Sequence, residues 1–168
     1  MATRGAKSII CLGNDHAGFL LKEAIKSYLQ RLHYIVKDFG ANSTKPCDYP
    51  DFVIPAARAA VLYKGRGIVF GGSGEGECVA ANKVPGVRCA LIYDAYTARL
   101  CREHNDANVI ALGSRTVTGD VKLAKKLVKI WLTTPFSRAA RHRRRLKKIA
   151  DYEKASTRPE GRGKNRSH

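Results

Sequence analysis

Gly67-Ile-Val-Phe-Gly-Gly-Ser-Gly-Glu-Gly-Glu77 passes from a short apolar run into a glycine-rich turn and then into helix-forming sequence. A brief apolar run ended by glycine reads as a buried strand. The four glycines between Gly71 and Gly76 let a backbone approach a ligand closely and adopt positive φ. Amides at the start of the following helix can then hold an anion. A strand whose carboxyl end opens into such a turn and helix is the repeating unit of a parallel α/β sheet.

The same unit recurs on both sides of this stretch. Ser8–Leu12 reads as a first strand bounded by Gly13-Asn14, with Asp15 at the place of a helix N-cap. Leu20, Leu21, Ala24, Ile25, Tyr28, Leu29 and Leu32 follow at helical spacing. Tyr34–Asp38 is a second strand closed by Gly40, and a polar loop over 41–50 leads to a helix at about Phe52–Tyr63. After the quoted turn come a short helix over Val79–Asn82 and a fourth strand at Val87–Ile92. A helix over Ala95–His104 and a fifth strand at Val109–Leu112 follow, then an amphipathic helix over Asp120–Leu132. A very basic helix, about Ser137–Lys154, comes last. Five strand–helix units predict a doubly wound, Rossmann-like five-stranded parallel sheet with helices on both faces. The expected organisation is one domain over 1–154 and a basic flexible tail over 155–168.

Composition narrows the classes of function. The 168 residues are 44% hydrophobic and 27% charged, as in ordinary soluble domains. No segment approaches the roughly 20 apolar residues of a membrane span, and no signal peptide is legible at the start, so the expected location is cytoplasmic. Five scattered cysteines without a C-x-x-C pair suit neither a disulfide framework nor a zinc site. Cys78, beside the glycine-rich turn, stays open as a functional thiol. From Ser137 to His168 twelve Lys or Arg stand against three Asp or Glu, so this segment supplies +9 of the net +17. A basic run can bind a polyanion, but the tail lacks interleaved aromatics; nucleic acid is not the expected main partner.

Three strand ends carry unusual polar residues: Asp15-His16 after the first strand, Gly71–Glu77 after the third, and His104-Asn105-Asp106 beside the fifth. Strand carboxyl ends converge on one crevice in an open sheet, with strand order deciding which become neighbours. The turn matches neither G-x-x-x-x-G-K-[ST] nor G-x-G-x-x-G, which argues against a nucleotide site. Glu75 and Glu77 add negative charge to a phosphate cradle, which makes sense if one is a base kept ionised at a helix N-terminus. Simple helix stabilisation by either remains open. Ser73 and neighbouring amides suit a developing oxyanion. Arg141 and Arg145 share a helix face and suit a phosphate, or plain solvent. No metal-ligand spacing is present.

In order along the chain, Gly13-Asn-Asp-His-Ala-Gly-Phe-Leu-Leu-Lys22, Asp48-Tyr-Pro-Asp51 and Gly71-Gly-Ser-Gly-Glu-Gly-Glu77 resemble the ribose-5-phosphate isomerase type B family, which includes galactose-6-phosphate isomerase subunits. The resemblance continues through Ala80–Lys83, Gly86–Ala90, Arg102–Asn108, Leu112–Arg115, Trp131–Phe136 and Arg141–Arg145, covering about residues 8–153. It implies interconversion of ribose 5-phosphate and ribulose 5-phosphate through an enediolate, without cofactor or metal. Glu77 would move the proton between C2 and C1, with Ser73 and the amides of Gly74 to Glu77 as the anion hole. His104 would help open the furanose ring, Asp15 would manage hydroxyl protons, and Tyr49, Gly72, Gly74 and Gly76 would line the site. His16, Arg115, Arg141 and Arg145 would hold the phosphate, with Asn105 and His142 nearby. The resemblance also implies a homodimer or tetramer whose sites combine two subunits, the C-terminal helix reaching a partner. Many members of the family carry a cysteine base at the position of Gly71; this chain resembles the subtype with the glutamate. Six-carbon phosphates remain alternative substrates.

Overall fold

In a computed structural model residues 8–117 and 120–156 are described. The chain divides into two compact units, Met1–Ser137 and Arg138–His168. The first contains β1 (Ile9–Asn14), α1 (Phe19–Arg31), β2 (Ile35–Asp38), α2 (Pro50–Leu62) and β3 (Arg66–Gly71). It continues with α3 (Glu75–Ala81), β4 (Cys89–Leu91), α4 (Ala95–Asn105), β5 (Val109–Gly113) and α5 (Val121–Thr133). All five strands run parallel in the order β2-β1-β3-β5-β4.

The period-two alternation of the strands divides the core. Ile10, Leu12, Ile68, Phe70, Ile110 and Leu112 face one side with Leu21, Ile25 and Leu29 of α1, Ala98 and Cys101 of α4, and Leu127, Val128 and Trp131 of α5. Cys11, Val69, Val109 and Ala111 face the other side with Val53, Ala57 and Ala60 of α2 and Ala80 and Ala81 of α3. Both faces are covered, as an all-parallel sheet requires. Trp131 is fully buried, and its indole N–H donates to Ala107 O at 3.1 Å.

Several boundaries depart from expectation for local reasons. β1 runs on to Asn14, because Asn14 pairs with Phe70 of β3. Asp15 does not cap α1: its Oδ1 accepts from Gly18 N at 2.8 Å in a turn, and the helix starts at Phe19. α3 begins at Glu75 rather than Val79, since Gly74 (φ 84°) makes the left-handed bend and Gly74 O accepts from Cys78 N at 3.0 Å. β4 is only Cys89–Leu91; Arg88 N is already taken by Asn108 Oδ1 at 2.8 Å, which ends the ladder.

The second unit is described over residues 138–156. Arg138 is left-handed (φ 54°), and helix α6 spans Ala140–Ser156, three residues later at its start than the sequence suggests. Lys147 and Asp151 pair along it at 2.6 Å. Of the expected tail over 155–168, residues 157–168 lie outside the described residues. No helix among the described residues is long and apolar enough to cross a membrane.

Candidate active site

The chain leaves β1 to one side for β2 and returns to the other side for β3, so the sheet's switch point lies between β1 and β3. Ligands of open α/β sheets bind outside the carboxyl ends at such a point. Asn14 pairs with Phe70, and Gly71 with Gly113, so β1, β3 and β5 end together there. Asp15 N donates to Phe70 O at 3.2 Å, while Ser114 N and Arg115 N donate to Gly71 O and Gly72 O at 2.8 and 2.9 Å. Three strand-end loops are thus tied to one another by main-chain bonds.

The turn's glycines are fixed by what lies against them. A Cβ on Gly71 would fall inside the carboxylate of Glu77, and one on Gly76 would come within 2.9 Å of the Tyr49 ring. One on Gly74 would meet Leu91 and the Gly113 amide, while Gly72 lies under the Arg115 guanidinium. Tyr49 and Arg115 therefore border the turn from opposite neighbours, α2 and β5.

Glu77 is 4% exposed. Burial holds its carboxyl above the ordinary glutamate value; the nearby Asp15 charge adds to this, and its own amide and that of Gly74 pull the other way. Desolvation thus outweighs the donors of the short helix start in setting the direction of this shift. Glu75, by contrast, is exposed, and its amide donates to Ser73 Oγ at 3.3 Å. Cys78 turns from Gly71 toward β4, its Sγ donating to Cys89 O at 3.5 Å.

Asp15 is 8% exposed, and its Oδ2 lies 4.0 Å from His16 Nδ1. His16 Nδ1 lies 3.2 Å from Cys47 N and 3.3 Å from Cys47 O, which seats the ring against the loop before α2. Two buried side chains of the Gly13–Lys22 motif, to which sequence reading gives no role, brace this corner. Asn14 Nδ2 donates to Asp15 O (2.7 Å) and Ala41 O (3.3 Å). Lys22, 1% exposed, donates to the same Ala41 O at 3.1 Å and to Asp38 Oδ2 at 2.9 Å. The legible signal is a lysine beside Leu21 and Ile25 on the apolar stripe of α1.

The structure thus brings together Asp15, His16, Tyr49, Gly72, Ser73, Gly74, Gly76, Glu77 and Arg115. It does not bring His104 and Asn105 to them. α4 runs back across the sheet, so His104-Asn105-Asp106 precede β5 at the amino edge. There Asn105 O accepts from Arg88 Nε at 3.0 Å, and Asn108 O from Gly67 N at 2.9 Å. At about 3.3 Å per residue along β3, the two edges lie roughly 16 Å apart. Arg141, His142 and Arg145 belong to α6 of the second unit, where Arg141 Nε donates to His142 Nε2 at 3.2 Å. Among the described residues no group of three or more His, Cys, Asp or Glu is placed to hold a metal ion.

Residues 10–149 match the ribose/galactose isomerase family. Ribose-5-phosphate isomerase B of Mycolicibacterium paratuberculosis is 47% identical over 152 residues, covering 89% of this chain and 94% of the relative. The solved ribose-5-phosphate isomerase B of Clostridium thermocellum superimposes with a TM-score of 0.84 at 43% identity, covering 89% of this chain and 99% of that one. The Mycoplasma genitalium enzyme, solved with bound ribulose-5-phosphate, gives 0.81 at 40% identity over 87% of this chain and 96% of that one.

Proposed function

The chain belongs to the ribose/galactose isomerase family, and we propose that it interconverts D-ribose 5-phosphate and D-ribulose 5-phosphate through an enediolate. Glu77 removes the C2 proton of the open-chain aldose and returns it to C1; the reverse reaction runs the same path. The observation that carries this is the seat of its carboxylate, buried at the switch point against the bare Cα of Gly71. A carboxyl held above the ordinary glutamate range is the stronger base once ionised. Ser73 and the turn amides receive the charge that develops on oxygen. Asp15 exchanges hydroxyl protons, and Tyr49 closes the side over Gly76. His16 and Arg115 bind the phosphate, so its charge is held away from the base.

His104, the ring-opening acid–base, and Asn105 stand at the opposite edge of their own sheet, so a second copy has to present them. The site is accordingly shared in a homodimer or tetramer. Arg141 and Arg145, with His142, add phosphate contacts from the C-terminal helix, which reaches that partner. The isomerase domain spans 1–154, and no step of the reaction is assigned to the basic 155–168 segment. No cofactor or metal enters the steps. The reaction belongs to the non-oxidative pentose phosphate branch, a cytoplasmic setting.

Turnover of ribose 5-phosphate by Glu77→Gln, Glu75→Gln and Cys78→Ala tests the assignment. We expect a loss of about 100-fold or more in Glu77→Gln alone. Full activity there overturns the base, and loss in Cys78→Ala would move the chemistry to a thiol. Preferential turnover of allose or galactose 6-phosphate by the wild type would reassign the substrate.

A further inference from the structure

Cys78 follows Glu77 on α3, and Cys89 opens β4. Their main chains are clipped together by one side chain, Asn82. Its Nδ2 donates to Cys78 O and Cys89 O, both at 3.0 Å, and its Oδ1 accepts from Cys89 N at 2.8 Å. The same Nδ2 lies 3.6 Å from Cys78 Sγ. Between the clipped segments of chain, Cys78 Sγ donates to Cys89 O at 3.5 Å, which seats the Cys78 sulfur on the Cys89 main chain. Both residues are only partly buried.

We propose that Cys78 and Cys89 form an oxidisable dithiol that closes to a disulfide under peroxide and thereby displaces the base-bearing helix α3. With the Cys78 sulfur already against the main chain of Cys89, side-chain rotation can bring the two sulfurs to the roughly 2.0 Å of an S–S bond. The two are unequal. The hydrogen bond from Cys89 lowers the Cys78 thiol below its usual value despite burial, and Cys89 is raised well above it. Cys78 is therefore the attacking thiolate. It attacks one peroxide oxygen, the O–O bond breaks, water leaves, and Cys78 becomes a sulfenic acid. The Cys89 sulfur then displaces that oxygen as a second water, forming the S–S bond and releasing its proton. Two thiols lose two electrons and two protons, and the peroxide is reduced to two waters. The buried Cys11 and Cys101, each pushed up to about 11 by burial, stay protonated and outside this chemistry.

The disulfide replaces the hydrogen bond from Cys78 Sγ to Cys89 O and pulls α3 toward β4 one residue beyond Glu77. That carboxylate has no slack at Gly71. A displacement of about 1 Å at a reacting group can lower turnover 10²-fold. The consequence for activity rests on the reading of Glu77 as base; the bond itself does not.

The full chain is treated with hydrogen peroxide, alkylated and mapped by mass spectrometry, with ribose 5-phosphate turnover followed in parallel. The expected result is a Cys78–Cys89 cross-linked peptide, two hydrogens lighter, forming together with a loss of turnover of about tenfold or more that dithiothreitol reverses. Cys78→Ser and Cys89→Ser are expected to keep basal turnover, form no cross-link and resist peroxide. No cross-link in the wild type, or equal reversible inactivation of Cys89→Ser, overturns the proposal. A cross-link without loss of turnover overturns the switch. An active Glu77→Gln protein would instead sink the base while leaving the peptide map unchanged.

Discussion

Gly71 and Glu77 occupy one volume between them. The carboxylate fills the space that any side chain at position 71 would need, so a residue larger than glycine there has to push it aside. Gly71→Ala is therefore expected to displace the carboxylate, lowering kcat about 100-fold and stability by about 1–3 kcal/mol; steady-state kinetics and urea unfolding check both. A second expectation concerns pH. Because burial raises the Glu77 pKa in the folded state, the protonated form stabilises the fold, and that contribution is lost as pH rises through the folded value. At neutral pH Glu77→Gln should thus melt at or above the wild-type temperature, and the difference should close in acid. The acid limb of kcat/KM should lie above the ordinary glutamate range. A melting temperature lower than wild type at neutral pH would contradict this. In the sequence, Gly71 in place of a cysteine points to a glutamate base, and the family pattern it resembles, variable at position 75, favours Glu77 over Glu75. The burial of the Glu77 carboxylate was not legible, because the depth of a first-turn side chain depends on what the fold packs around it, here the bare Cα of Gly71 at the end of β3.

Among the elements, α1 does more than cover a face of the sheet. Its Lys22 draws Asp38 at the end of β2 and Ala41 of the next loop toward Asn14, and so steadies the Asp15-His16 turn. Lys22→Met should destabilise the protein by about 2–4 kcal/mol, within the range for breaking a buried charged contact. The loss is moderated by Lys26, which also holds Asp38 Oδ2 at 2.7 Å. Chemical denaturation measures it, and an unchanged midpoint would show the buried amine to be dispensable. The strands and helices themselves were legible, since Ile10/Leu12 and Ile68/Phe70 alternate as half-core positions and Leu21/Ile25/Leu29 repeat at helical spacing. Their exact starts were not. Asp15 has the residue type of a cap, but its partner Gly18 lies against Phe70, a long-range contact that delays the helix by a turn. α3 starts early for a comparable reason, the left-handed Gly74 being held between Leu91 and Gly113.

For the whole molecule, the placement of His104 and Asn105 at the amino edge decides how the site is built. If a partner presents them, Glu77→Gln and His104→Ala subunits, each inactive alone, should complement when mixed. A mixed pair contains one site with both defects and one with neither, so random mixing should restore about a quarter of wild-type activity for a dimer. Absence of recovery after verified subunit exchange would place both residues in one chain's site. Charge reversal at Arg141 or Arg145 should raise KM for the sugar phosphate, with little change if they are only surface charge. Strand order was the part of the molecule least open to sequence reading: nothing in Val109–Leu112 says that it lies between β3 and β4 and pairs with both. That order, β2-β1-β3-β5-β4, also sets a timetable during synthesis. β3 is complete by Gly71, but the strand that covers its free edge begins only at Val109, and β4, made in between, has no neighbour to pair with until then. A nascent chain thus carries the apolar Ile68-Val69-Phe70 edge open for nearly forty residues of translation. At about 5–20 residues per second that is a window of seconds in which chaperone binding, or association between neighbouring nascent chains, competes with closure of the sheet.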